Sequence, residues 1–116
     1  MFSPLLSQYD QEKIKLGIDV LIQKHFSEIT GKKVALLTNH AGRTNEGKLT
    51  AEIFAGSGKF ELVSIFTPEH GFYTTTPAGE AVGNITLYGV PVYSLYGSNR
   101  RPLKWQLNNC DVVVVD

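Results

Sequence analysis

Cysteine is almost missing from this chain: Cys110 is its one thiol in 116 residues. A lone cysteine excludes an internal disulfide and any cysteine-built zinc cluster. Charge of one sign is missing too, because eleven Lys and Arg balance eleven Asp and Glu. With no net field to draw in nucleic acid or an anionic membrane, no nucleic-acid partner is expected. No apolar run approaches the roughly 20 residues that cross a bilayer, so no membrane span is expected. Residues 1–12 lack a basic stretch followed by a continuous apolar core and are not expected to act as a signal peptide. Internal repeats and low-complexity segments are lacking as well.

What remains is ordinary globular composition. A hydrophobic content of 42% and a charged content of 19% exclude a disordered chain. A chain of this length makes one domain that buries about two-thirds of its unfolded surface. Ile18, Leu21, Ile22, His25, Phe26 and Ile29 follow helical spacing, which predicts a helix over residues 17–29 with His25 partly buried on it. Residues 34–38 read as an apolar, central strand. Leu49, Ile53 and Phe54 mark a second helix that stops at Gly56-Ser57-Gly58. Residues 60–66 form the next strand, so strand, helix and strand make a βαβ unit with a right-handed crossover.

Residues 72–89 read as irregular, and a loop of that length is usually functional or mobile. Residues 90–95 read as a strand, edge-like because Pro91 has no amide to donate. Pro102 suits the first position of a short helix, docked into the core through Trp105 and Leu107. Residues 111–115 make a last strand whose four valines describe a central position. Nothing follows Asp116 to cover it, so the sequence reads as the front part of a larger protein. The expected fold is α/β, a mainly parallel sheet of about four strands flanked by helices.

Candidate chemistry gathers where strands end. Pro68 stops the strand at 60–66, and Glu69, His70 and Gly71 follow at once. In open α/β sheets, ligands bind outside the carboxyl ends of the strands. Asn39 and His40 hold the same position one strand over, although they can equally shape a turn. Glu69 can also be a plain solvated residue or a helix cap. Glu80 is a further carboxylate in the long loop, and Asp116 stands at another strand's end. Arg100 and Arg101 can pair with a carboxylate, or simply be solvated. Cys110, ahead of an apolar run, reads as an inert buried thiol. The loop at 39–47 lacks both the Gly-x-Gly-x-x-Gly pattern and a P-loop ending, so no cofactor is expected. A metal-dependent hydrolase using His40, Glu69 and His70 is an alternative, but no His-x-x-x-His spacing supports it. No metal is therefore assigned.

Several motifs in one order carry a resemblance. They are Gly17-Ile18-Asp19-Val20-Leu21, Gly31-Lys32-Lys33-Val34, Leu37-Thr38-Asn39-His40-Ala41-Gly42, Pro68-Glu69-His70-Gly71, Ala78-Gly79-Glu80, Tyr93-Ser94-Leu95-Tyr96-Gly97 and Asp111-Val112-Val113-Val114-Val115-Asp116. From Gly17 onward the chain resembles the N-terminal part of the bacterial exo-β-N-acetylmuramidase family of glycoside hydrolases. The resemblance implies a Rossmann-like N-terminal subdomain over residues 17–116, preceded by an extension over 1–16, with a second subdomain lying outside this chain. It implies release of terminal N-acetylmuramic acid from peptidoglycan fragments in cell-wall turnover, with a muropeptide or amino sugar as substrate. Glu69 then carries over as catalytic, while Asn39, His40, His70 and Glu80 line the site; for such a substrate the lactyl carboxylate is the group that Arg100 and Arg101 can pair with, unless they are simply solvated. Members of the family are often exported or periplasmic.

The sequence departs from the family at Tyr73-Thr74, where Arg-Gly is usual, and at Leu103, where a threonine is usual. The chain alone is expected to be inactive and to self-associate through its exposed sheet. A non-catalytic sugar-binding or structural module is the alternative of a different class.

Overall fold

The computed structural model describes residues 15–68, 72, 85–95 and 100–116. In chain order these give α1 (Gly17–Gln23), β1 (Lys33–Leu37), α2 (Thr50–Gly56), β2 (Glu61–Thr67), β3 (Ile85–Leu87), β4 (Val90–Ser94), α3 (Lys104–Leu107) and β5 (Val112–Val115). The five strands form one sheet in the order β3-β4-β2-β1-β5. β1 pairs in parallel with both β2 and β5, and β2 pairs in parallel with β4. β3 alone runs antiparallel, joined to β4 through Tyr88 and Gly89, both at positive φ (52° and 78°). Two left-handed residues in a two-residue loop match the right-handed twist of the strands they join.

Register sorts the side chains onto two faces. Val34 and Leu36 stand opposite Leu62 and Ile65 on one side and Val112 and Val114 on the other. A bulge opposite Val34/Ala35 inserts Val63, which lets Leu62 and Ile65 share a face despite their odd spacing. Val92 extends the same face, onto which Ile18, Phe26, Ile29, Ala51 and Phe54 pack. Phe26, Phe54 and Phe60 meet edge-on or tilted, with ring centroids 5.0 to 6.2 Å apart. Phe54 is almost fully buried, so truncating it to Ala would cost about 3–5 kcal/mol. On the opposite face Phe66 packs on Tyr93, and Tyr93 packs edge-on against Trp105 of α3.

Several expectations need correction. The helix ends at Gln23, not at residue 29. The amide of His25 bonds Ile22 O and that of Phe26 bonds Leu21 O, with His25 and Phe26 both left-handed (φ 53° and 56°). This is a Schellman stop, and it turns Phe26 into the aromatic cluster while His25 is left exposed outside the helix. The sheet has a fifth strand, β3, inside the stretch read as irregular. β4 is therefore not an edge: Pro91 lies just before the Val92–Ser94 stretch that pairs with β2, so its missing amide takes nothing from that ladder. β5, read as central, is the outermost strand among the described residues. Pro102 precedes the helix that starts at Lys104, where Gln106 Oε1 accepts from the Leu103 amide instead. Trp105 is 60% exposed rather than in the core.

The Schellman stop yields a prediction. Glycine meets no Cβ penalty in the left-handed region, and His25 contributes an exposed side chain there. His25→Gly should therefore raise stability by about 0.5–1 kcal/mol in urea unfolding. An unchanged or lowered midpoint would show that His25 makes a contact worth more than its backbone strain.

Candidate functional site at the strand ends

Numbered among themselves, the parallel strands lie in the order 3-2-1-4, with β4 third and β5 fourth. The chain progresses from β1 outward through β2 to β4, then crosses back to β5 on the other side of β1. This reversal of direction makes a crevice at the carboxyl ends of β1 and β5, the position where open α/β sheets hold ligands. Thr38, Asn39 and His40 leave β1 at that crevice, and Asp116 leaves β5 there. The Asp116 amide donates to Leu37 O at 3.0 Å, which fixes its backbone beside the end of β1.

The loop after β1 is internally hydrogen-bonded. Asn39 Oδ1 accepts from the Ala41 amide at 2.8 Å, and Asn39 O accepts from the Gly42 amide at 3.0 Å. Asn39 thus shapes the turn, as one of its two sequence readings had it. Arg43, which sequence reasoning passed over, donates from Nε to His40 O at 3.0 Å and from Nη1 to Gly47 O at 2.7 Å. Two carbonyl acceptors for one guanidinium hold the loop shut, and no pattern in the sequence signals them. Gly42 O accepts from the Thr50 amide at 3.0 Å, so the loop is also pinned to the start of α2. A Cβ at Gly42 would collide with the Asp116 carboxylate and the Thr38 hydroxyl. The missing side chain is what lets a carboxylate from β5 reach the β1 loop.

His40 joins this loop to the segment after β2. Its amide donates to Phe72 O at 2.6 Å, and its ring Nδ1 lies 3.2 Å from the same oxygen. The shared-site expectation for Asn39, His40, Glu69 and His70 falls partly outside the described residues, because Glu69, His70 and Glu80 lie there. The described part has β1 and β2 parallel and adjacent, with Phe72 brought to His40. Arg100 and Arg101 are exposed on the connection from β4 to α3. Two strands separate β4 from β5, so Ser94 and Asp116 leave the sheet well apart along its width.

Burial pushes the Cys110 thiol above its usual range, with the Asp111 carboxylate adding to the effect. A thiol so placed holds less thiolate near neutrality, in line with an inert residue. Among the described residues no group of three or more His, Cys, Asp or Glu can hold a metal ion. The metal reading of His40, Glu69 and His70 reaches outside those residues. A groove of about 410 Å³ lies between α1, α2 and β5, with Ile18, Leu21, Phe54, Val112 and Val114 along it. Its walls are mainly apolar but include Asp116 and Thr50, whereas Asn39 and His40 are not among them.

Fold and strand-end loops together define a Rossmann-like α/β domain with its polar residues at the carboxyl edge of the sheet. The chain belongs to the exo-beta-N-acetylmuramidase NamZ family, whose N-terminal model matches residues 34–116. It is 36% identical over 106 residues to the peptidoglycan beta-N-acetylmuramidase NamZ of Bacillus subtilis (strain 168), covering 90% of this chain and 26% of that protein. Two crystal structures of DUF1343 family proteins from Bacteroides fragilis NCTC 9343 share the fold. One superposes with a TM-score of 0.77 at 38% identity, the other with 0.62 at 27%, each over 88% of this chain and 25% of the other. The chain thus spans about a quarter of the length of the relatives it matches.

The Gly42 contact can be tested directly. Thr38 is buried and has little room to yield, so Gly42→Ala should cost about 1–3 kcal/mol, as overpacking does. Equal urea midpoints for the two proteins would show that the carboxylate and hydroxyl move aside freely.

Proposed function

We propose that this chain is the N-terminal, site-bearing part of a glycoside hydrolase that releases terminal N-acetylmuramic acid from peptidoglycan fragments. The observation that carries the reading is membership of the exo-beta-N-acetylmuramidase family together with a strand-end crevice in the position where α/β folds bind ligands. Glycoside hydrolysis uses two carboxyl groups about the scissile bond, one of them protonated to release the leaving oxygen. Glu69, two residues beyond the end of β2, is the proposed general acid. A second subdomain closing over it would take the carboxyl out of water and favour its protonated form. Asp116 at the crevice is a candidate for the second carboxylate. Asn39, His40, His70 and Glu80 are proposed to line the sugar site, and Arg100 and Arg101 to meet the lactyl carboxylate.

The partner is accordingly a muropeptide or amino sugar. No helix among the described residues is long and apolar enough to cross a membrane. Self-association through the sheet is supported by β5, which has no outer neighbour among the described residues and leaves Val113 43% and Val115 71% exposed. An uncovered apolar strand edge is a template for pairing.

In a full-length family member with these motifs, exchanging the glutamate aligned with Glu69 for Gln should abolish release of N-acetylmuramic acid from a chromogenic glycoside. Gln keeps the size of Glu but cannot supply a proton, and losing general acid help costs about 10²- to 10⁴-fold. Near-normal turnover would remove Glu69 from the mechanism. The 116-residue chain by itself should show no turnover and should elute from a sizing column larger than a monomer. Robust hydrolysis by a monomeric chain would show that nothing beyond these residues is needed.

A further inference from the structure

Two donors of one residue meet a single acceptor at this site. The His40 amide and the His40 ring nitrogen Nδ1 both approach Phe72 O, at 2.6 and 3.2 Å. A carbonyl oxygen can only receive a hydrogen bond, so the ring contact requires its proton on Nδ1. In the neutral imidazole that leaves Nε2 as the acceptor atom, and which nitrogen is protonated follows from the bond the other one makes. His40 is half-buried, its own carbonyl is held by Arg43, and the Phe72 side chain is buried. Neither end of the contact is a loose surface group.

We infer that His40 is a positioning residue: it locks the segment after β2 to the loop after β1 through Phe72 O, and the lock fixes its own ring as the Nδ1–H tautomer. The inference rests on the glycosidase reading only for what the lock is for, which is holding Phe72 beside the loop that borders the crevice.

The tautomer is tested on this chain alone, without any turnover. In a ¹⁵N-labelled sample held above the ring's pKa, long-range proton–nitrogen correlations should show His40 protonated at Nδ1, outnumbering the Nε2–H form about tenfold. The signals are assigned by their loss in His40→Asn. A proton mainly on Nε2, or shared evenly between the nitrogens, overturns the inference.

The consequence is tested in a full-length family member at the aligned histidine. Asn presents an amide N–H close to where Nδ1 was, and Gln presents one close to Nε2. The Gln variant should lose about 10- to 100-fold in kcat with little change in KM, and the Asn variant should exceed the Gln variant by about tenfold in kcat. Gln equal to wild type, or equal losses in both variants, contradicts positioning through Nδ1. Failure of the Glu69 assignment would show in the glutamate variant and leave the tautomer result standing.

Discussion

The structure depends on β1 being hydrogen-bonded along both edges in the same direction. Lys33–Leu37 pairs in parallel with β2 on one side and with β5 on the other. Parallel pairing sends all three chains out of the sheet at one end, and it does so before any loop residue is considered. The polar residues of the loops are brought together because the strands beneath them are parallel. The apolar side chains on both faces hold that arrangement, since Val34, Ala35 and Leu36 are fully buried and a one-residue slip would exchange their faces. The placing of the loops at the crevice therefore rests on burial in the strands beneath them.

The crevice then acquires its chemistry through backbone economy. A loop with few side chains to spare uses Asn39 to turn, Gly42 to make room and Arg43 to close. With these carrying the backbone, the Thr38 hydroxyl and the Asp116 carboxylate come together over Gly42, and His40 reaches across to Phe72 O. Such a division between shaping and presenting residues is consistent with loops carrying function on a rigid scaffold. The relatives that the chain matches are about four times as long.

Much of this was legible in the sequence because burial writes a strong pattern. The runs at 34–37 and 112–115 are apolar throughout, the run at 60–66 is interrupted only by Glu61 and Ser64, and each is a parallel strand. The positions of Asn39 and His40 after a strand were legible for the same reason. What failed were features set by geometry at one or two residues. The stop after Gln23 depends on non-glycine residues entering the left-handed region, so periodicity ran on through Phe26 and Ile29, which are indeed buried but from a turn. β3 has only three residues, and its hairpin turn uses Tyr88 where Asn or Asp is the usual signal. The exposed Trp105 broke the rule that large aromatics lie inside, and the valines of β5 read as central although one of their faces is open. The ties from Arg43 and from His40 to Phe72 span loops, and no spacing rule encodes them.

The central claim is that the sugar is bound where β1, β2 and β5 end. A crystal structure of a full-length family member with N-acetylmuramic acid tests it most directly. The account predicts the sugar ring at the carboxyl ends of these strands, within hydrogen-bond reach of residues aligned with His40 and Glu69. A sugar seated beside α1 and out of reach of the residues aligned with His40 and Glu69, or at the opposite end of the sheet, would contradict it.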